Sequence, residues 1–233
     1  MAKKRLEHNH EKGKYNLREI ILGGQDGLVN VLGVILAVAF ATYDTRIILL
    51  AGIAATFAES VSMAAVAYTS TKAAKDYYKS QVEVEKKEIR EIPKTEVKEI
   101  YDIYYNKGFR GGLLNRIVKH ITGSKRLWLS TMLSEELHIF PGRFGNPLKD
   151  AVVVGVAAII GSFIPLIPFM FLSVKSAIIV SLISSLIILF ITGAIKAKVT
   201  IGDWKKAGVE MAAIGMGAAI VGFLIGWLFN LLY

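Results

Sequence analysis

Two carboxylates stand where carboxylates are costly: Asp26 and Glu59 both fall inside long apolar runs. At membrane depth such a group costs about 2.5–3.5 kcal/mol on insertion scales, so an acid placed there marks an ion or proton route by default. Asp26 sits in Gly23-Gly24-Gln25-Asp26-Gly27, one turn before Asn30, where glycines permit close helix approach or unwinding around an ion. It also lies near one end of its run, which leaves open an interfacial residue bonded to a neighbouring helix. Glu59 is near the middle of the second run, and Met63, four residues on, shares its helix face. A carboxylate beside a thioether combines a hard and a soft ligand, a mixture that suits a transition metal such as Fe(II) better than Mg or Ca. Met63 taken alone reads as ordinary packing.

A second group of acids lies outside the apolar runs. Glu83, Glu85, Glu88, Glu91, Glu96, Glu99 and Asp102 place seven acids within twenty residues. Glu85, Glu88 and Glu91 recur at i, i+3, as do Glu96, Glu99 and Asp102, so each set gathers on one side of a helix. Pro93 between them breaks the chain, and a reversal there would bring the two stripes face to face around cations. The interleaved Lys86, Lys87, Arg90, Lys94 and Lys98 support the opposite reading, a solvated helix laced with salt bridges. Met132 and Glu136 repeat the i, i+4 pairing of methionine and carboxylate, with Glu135 adjacent. His8, His10, His120 and His138 form no HxxxH pair; His8 and His10 read as a tail with, at most, an accessory metal role. Glu91, Asp102, Glu135 and Glu210 are assigned no role by spacing.

The elements that must position these residues follow from hydropathy. The 233-residue chain is 53% hydrophobic and 20% charged, with mean hydropathy +0.47. Its apolar residues concentrate in five runs, 20–43, 47–68, 151–172, 176–195 and 207–232. Each is long enough to cross roughly 30 Å of hydrocarbon as a helix, and none shows the alternation of barrel strands. The fold class expected is an all-α membrane protein of five transmembrane helices, with a cytoplasmic helical metal-binding domain inserted between the second and third. The divisions are a cytoplasmic N-terminal tail at 1–19, spans one and two at 20–71, the inserted domain at 72–150 and spans three to five at 151–233. Within the insert, the second span continues as a helix to Pro93. Further helices are expected at about 95–106, at Leu113–Ile121 and at Lys125–Ile139, the last ended by Pro141 and Gly142.

Net charge is +9, from 28 Lys+Arg against 19 Asp+Glu, and its distribution is a topology signal. Residues 1–19, 72–150 and 196–206 carry six, sixteen and four basic residues, whereas the other side of the predicted membrane carries only Arg46 and Lys175. That 26 to 2 division puts the N-terminus and the insert in the cytoplasm and the C-terminus outside or in a lumen. It leaves little reason to invoke nucleic acid. Residues 1–19 are too polar for a cleavable signal peptide. With no cysteine there is no disulfide, thiolate site or thiol catalysis. No Walker motif, nucleophile elbow or zinc-protease helix is present, which argues against an enzyme or an ATP-driven pump. Pro165 and Pro168 predict a kink in the third span. The ladder Gly215, Ala219, Gly222, Gly226 predicts a close packing face in the fifth, within the subunit or between two.

Taken together, Gln25-Asp26-Gly27-Leu28, Ser62-Met63, Tyr68, Asp76, Tyr78 and Ile164-Pro165-Leu166-Ile167-Pro168 resemble the vacuolar iron transporter family over nearly the whole chain after the tail. The resemblance implies a homodimer of five-helix subunits that exchanges ferrous iron for protons, with a metal-binding cytoplasmic domain between spans two and three. Glu85, Glu88, Glu96 and Glu99 match that domain's glutamates around the Ile92-Pro93-Lys94-Thr95 turn. Met132 and Glu136 match its methionine and last glutamate; Asp26 and Met63 match the membrane pathway. Leu133 stands where a second methionine is often found. The membrane glutamate of plant members falls at Ala55, so Glu59, one turn later, substitutes for it by geometry and not by motif.

The expected function is proton-coupled export of a divalent transition metal from the cytoplasm, Fe(II) first, with Mn(II) and Co(II) as further substrates. The metal is cargo and no resident cofactor is implied. The partners are metal ions, protons, membrane lipid and a second copy, in the plasma membrane of a prokaryote or the vacuolar membrane of a eukaryote. The alternative is a membrane-anchored metal-sensing or metal-binding module without transport.

Overall fold

The computed structural model describes residues 2–140, 145–199 and 202–232, with side chains from residue 17 onward. His8 and His10 therefore have no described side chains, and the stop expected at Pro141 and Gly142 lies outside the described residues. The structure is helical, and no strand occurs among the described residues: α1 (Ala2–Thr42), α2 (Thr45–Glu91), α3 (Pro93–Asn106), α4 (Gly111–Thr122), α5 (Lys125–Thr131), a π-helical turn (Met132–Glu136), α6 (Pro147–Phe171), α7 (Val174–Val199) and α8 (Trp204–Leu232). The chain divides into two compact units, Met1–Thr69 with Pro147–Tyr233, and Ser70–Asn146.

Five helices are long and apolar enough to cross a membrane: α1 from Leu17, α2, α6, α7 and α8. The protein is an integral membrane protein. At 47 residues, α2 is roughly 70 Å long, more than twice the ~30 Å of hydrocarbon. Only its apolar 47–68 segment spans; the polar remainder belongs to the second unit.

Sharp connections make neighbouring spans antiparallel. After α1, Tyr43 takes a left-handed backbone (φ 50°) and Asp44 caps α2, its Oδ1 accepting from the Arg46 amide at 2.8 Å. Asp203 caps α8 in the same way through the Lys205 amide at 2.9 Å. In the bundle, backbones meet at small residues, because lipid supplies no hydrophobic drive between helices and close van der Waals contact must replace it. A Cβ on Gly23 or Gly27 would run into the Val154 or Ala158 carbonyl, and one on Gly222 or Gly226 into those of Gly33 or Ala37. These rising pairs make α1, α6 and α8 parallel. The expected small-residue ladder of α8 thus packs inside the subunit, with Gly215, Ala219, Gly222 and Gly226 all buried. Gly193 of α7 packs on Ala207 and Gly215 of α8 on Leu189, which makes those two antiparallel. The Ser60 hydroxyl of α2 donates to the Gly155 carbonyl of α6 at 2.9 Å.

Pro165 and Pro168 lie inside α6. Ser181 of α7 donates to the Pro165 carbonyl at 2.8 Å, tying the two helices at that level, while the prolines themselves leave the Gly161 and Ile164 carbonyls without an in-helix donor. The apolar core at that level is Val31, Ile35, Ala39, Ile48, Leu166 and Phe169.

In the second unit, α2 stops at Glu91, and Pro93 is not merely a breaker: it occupies the first turn of α3, where its missing amide costs nothing. The core is Ile100, Leu114, Val118, Ile121, Trp128 and Met132. The helix expected over Lys125–Ile139 is α-helical only to Thr131. It then widens into the π turn, where Leu137 N bonds to Met132 O at 3.2 Å, and ends before His138, whose backbone is left-handed (φ 53°).

Candidate metal sites in the span and in the helical insert

In the membrane unit, Asp26 and Asn30 lie one turn apart on α1, and Glu59 and Met63 one turn apart on α2. Asn30 Nδ2 donates to Glu59 Oε2, and the Glu59 carboxyl is within hydrogen-bonding reach of the Asp26 carboxyl. Two carboxylates that close repel unless a proton or a cation lies between them. Asp26 and Asn30 are exposed on the single subunit, while Glu59 and Met63 are half-buried. Ala55, the position of the plant glutamate, instead packs against the Val31 and Ile35 core. Asn30 was visible in the sequence only as a neighbour of Asp26; its bond to Glu59 needs the pairing of α1 with α2. Glu19 and Asp150, 8% and 3% exposed, face each other from α1 and α6 and drew no notice in the sequence. Each sits at the polar edge of its run, where an acid is unremarkable.

In the second unit, the structure sorts the acids into two groups. Glu83 pairs with Lys86 at 2.7 Å, Glu91 with Lys87 at 3.9 Å and Glu135 with Lys107; Asp102 is exposed. These side chains follow the solvated-helix reading. Glu85, Glu88, Glu96, Glu99 and Glu136 have no Lys or Arg partner among the described residues and face one another. Glu85 and Glu96, 3% and 2% exposed, meet carboxyl to carboxyl across the Ile92–Pro93 turn. Glu85 Oε1 and Glu96 Oε2 are buried with no further partner.

The electrostatics follow from this crowding. Burial first, then the hydrogen bond and charge of Glu96, then the charges of Glu136 and Glu88, push the Glu85 carboxyl up to about 8. Glu96 is raised by burial and by Glu99, partly offset by the hydrogen bond from Glu85. Glu136, at the edge of the group, is raised by partial desolvation and by Glu99 and Glu88. Lys86 holds exposed Glu83 below the ordinary carboxylate range. Met132 is fully buried among the apolar core residues, with Leu133 also buried. Both Met132 and Glu136 belong to the π turn, an element frequently found at functional sites. As they stand, no three His, Asp or Glu side chains among the described residues are disposed to hold a metal ion. The group is a buried carboxyl pair, raised in pKa, with three further acids around it.

Comparison with known proteins gives this arrangement a family. A vacuolar iron transporter 1 of Arabidopsis thaliana is 29% identical over 225 residues, 94% of this chain and 90% of that protein. A vacuolar iron transporter 1 of Oryza sativa subsp. japonica is 26% identical over 221 residues, 93% and 88% of the two chains. A vacuolar iron transporter of Plasmodium falciparum is 29% identical over 228 residues, 94% and 84%. The sequence model of the VIT family matches residues 17–227, all five spans and the insert together. Since that match takes in both acid groups and the bundle that carries them, the chain belongs to the VIT family.

Proposed function

We propose that the protein moves a divalent transition metal, Fe(II) foremost and Mn(II) and Co(II) with it, out of the cytoplasm in exchange for protons. One observation carries this reading: Asp26, Asn30 and Glu59 converge at span depth, where carboxylates are costly and a proton or cation must lie between them. The same oxygens serve proton and metal in turn, which is the physical basis of exchange. Met63, one turn nearer the basic end of the bundle, adds the soft ligand that favours a transition metal. Glu85, Glu88, Glu96, Glu99 and Glu136 collect the ion beforehand, with Met132, in the apolar core one turn before Glu136, as the soft ligand the sequence pairs with that acid.

Exposure supports a homodimer. Asp26 and Asn30 are open on the single subunit, and polar groups at this depth face protein or water and not hydrocarbon. A second copy laid over this face would enclose the route. The positive-inside division puts the α1 N-terminal end in the cytoplasm and the α8 C-terminal end outside or in the lumen. The relatives' names agree with a vacuolar membrane in a eukaryote; in a prokaryote the site is the plasma membrane.

The test is flux of Fe(II) into liposomes holding the purified protein, with and without an opposing proton gradient. Flux that depends on the gradient and moves protons the other way is the expected result. No flux of any divalent metal from well-folded protein would leave the anchored-sensor reading in its place. Reporter fusions that set residues 80–140 on the same side as the C-terminus would overturn the five-span topology and with it this reading.

A further inference from the structure

A cleft of about 550 Å³ lies between α1, α6 and α7. It is nearly all apolar; Gln25 and Thr192 are the polar residues of its lining. Its recess exists because Gly24 and Gly161 approach so closely that a side chain on Gly161 would strike the Gly24 backbone. The flanking Ile20, Val156 and Ile160 are 49%, 50% and 63% exposed, so the cleft opens sideways, toward hydrocarbon. Along α1 it runs from Leu17 to Leu28 and along α6 from Val152 to Ile164, roughly 16–18 Å at the helical rise. That is about half of a ~30 Å hydrocarbon core, one leaflet.

The end of the cleft at the membrane surface is basic. Arg18 adjoins Leu17, Lys196 adjoins Ile195, and Lys149 and Lys198 lie one turn from Val152 and Ile195; all four are exposed. Because α1 and α6 run parallel and α7 antiparallel to them, all four stand at the same end. Of the acids at this end, Glu19 and Asp150 are buried, while Asp203 and Glu210 at the start of α8, which does not line the cleft, are exposed. Arg18 approaches Glu19 only to 3.9 Å and keeps 77% of its side chain exposed.

We propose that this cleft holds one acyl chain of an anionic phospholipid of the basic-side leaflet, with Arg18 and Lys198 meeting its phosphate headgroup. The length of one leaflet, the lateral opening and the charge at the mouth select this occupant over a metal ion or a water-soluble ligand. Basic residues near a membrane surface each favour anionic lipid, and a recess between helices turns that attraction into a site.

The test uses full-length protein in detergent, measuring retained lipid by native mass spectrometry and thermal stability with added phosphatidylglycerol or phosphatidylcholine of identical chains. Phosphatidylglycerol should be preferred on the order of tenfold. Arg18→Gln with Lys198→Gln should remove that preference while a chain-dependent shift remains. Ile160→Trp, which fills the cleft, should remove retention of both lipids; Val156→Trp tests the same point if the first variant folds poorly. Lys175→Gln, at the opposite end, should change nothing. Equal retention of the two lipids by the wild type would overturn the headgroup assignment, and undiminished retention by both tryptophan variants would overturn the cleft.

Discussion

Glu85 of α2 and Glu96 of α3 lie carboxyl to carboxyl, eleven residues apart in sequence and both almost fully buried. The Ile92–Pro93 turn makes this contact, and the apolar side chains Ile89 and Val97, packed on the same core, hold it closed. Two buried carboxyls this close repel when both are charged, so the pair favours a shared proton or a cation. Its response to pH and to cations is therefore the most direct handle on the insert.

Stability of the metal-free protein should fall as pH rises from about 4.5 to about 8. The folded state holds Glu85 at about 8 against an ordinary 4.5, so within that window it binds more protons than the unfolded chain. Its contribution is complete below the unfolded value and is lost as pH rises through the folded one. Thermal unfolding in chelator at pH 5, 6.5 and 8 should show the loss, and Glu85→Gln should flatten it and stabilise the protein at pH 8. A wild-type profile that rises across this range would contradict the shared proton. Added Fe(II) or Mn(II) should reverse the loss, since the cation replaces the proton, and calorimetry at pH 7 in buffers of different ionisation enthalpy should detect about one proton released per ion bound.

The sorting of acids gives a sharper test of the same group. Glu85→Gln, Glu96→Gln and Glu99→Gln should each lower divalent-metal affinity by tenfold or more, on the order of 1.4 kcal/mol. Glu83→Gln and Glu91→Gln should leave it unchanged, because those side chains are turned to solvent and paired with Lys86 and Lys87. Equal losses in both sets, measured on full-length protein by calorimetry, would mean that bulk negative charge and not the buried group attracts the ion.

This sorting also marks where sequence stops informing. The five spans were legible because twenty apolar residues have few other uses, and Pro93 and the glycines around 108–112 marked the helix breaks. The i, i+3 spacing placed Glu85, Glu88 and Glu91 on one side of α2, but it could not say which of them turned toward α3. Glu85 and Glu88 do, whereas Glu91 reaches back to Lys87. The decision belongs to Ile89, Val97 and Ile100, whose burial fixes the rotation of each helix. The π turn was invisible for a related reason: Met132–Glu136 has an ordinary helical pattern, and only the Leu137 amide reaching Met132 O reveals the wider register. Asn30 and the Glu19–Asp150 pair required the packing of α1 on α2 and on α6.

Packing in the bundle leaves little tolerance at its glycines. At Gly222 a side chain would meet the Gly33 backbone of α1, and backbone, unlike a flexible side chain, moves only if the helices separate. Gly222→Val should cost about 1–3 kcal/mol in detergent unfolding, whereas Gly217→Val, on an open face with nothing within 4 Å, should be nearly neutral. Similar losses at both positions would show that α8 is sensitive to substitution in general, and not through its contact with α1.

The groups proposed for capture and for passage occupy different parts of the chain, so the two roles should separate by mutation. Asp26→Asn removes a charge while barely changing side-chain size, and Glu59→Gln does the same on α2. Each should reduce Fe(II) flux into liposomes by at least tenfold, yet leave calorimetric binding at the insert intact. Asn30→Ala should be milder, since it removes the amide that orients Glu59 but neither carboxylate. Met63→Leu conserves volume and deletes only the sulfur, so flux should persist with its preference moved away from Fe(II) toward harder ions. Proton movement should fall in step with metal flux in the Asp26 and Glu59 variants, because the same oxygens hold both. A well-folded Asp26→Asn protein with wild-type flux would remove that residue from the route. Metal flux retained with proton movement lost would instead divide the two roles between Asp26 and Glu59.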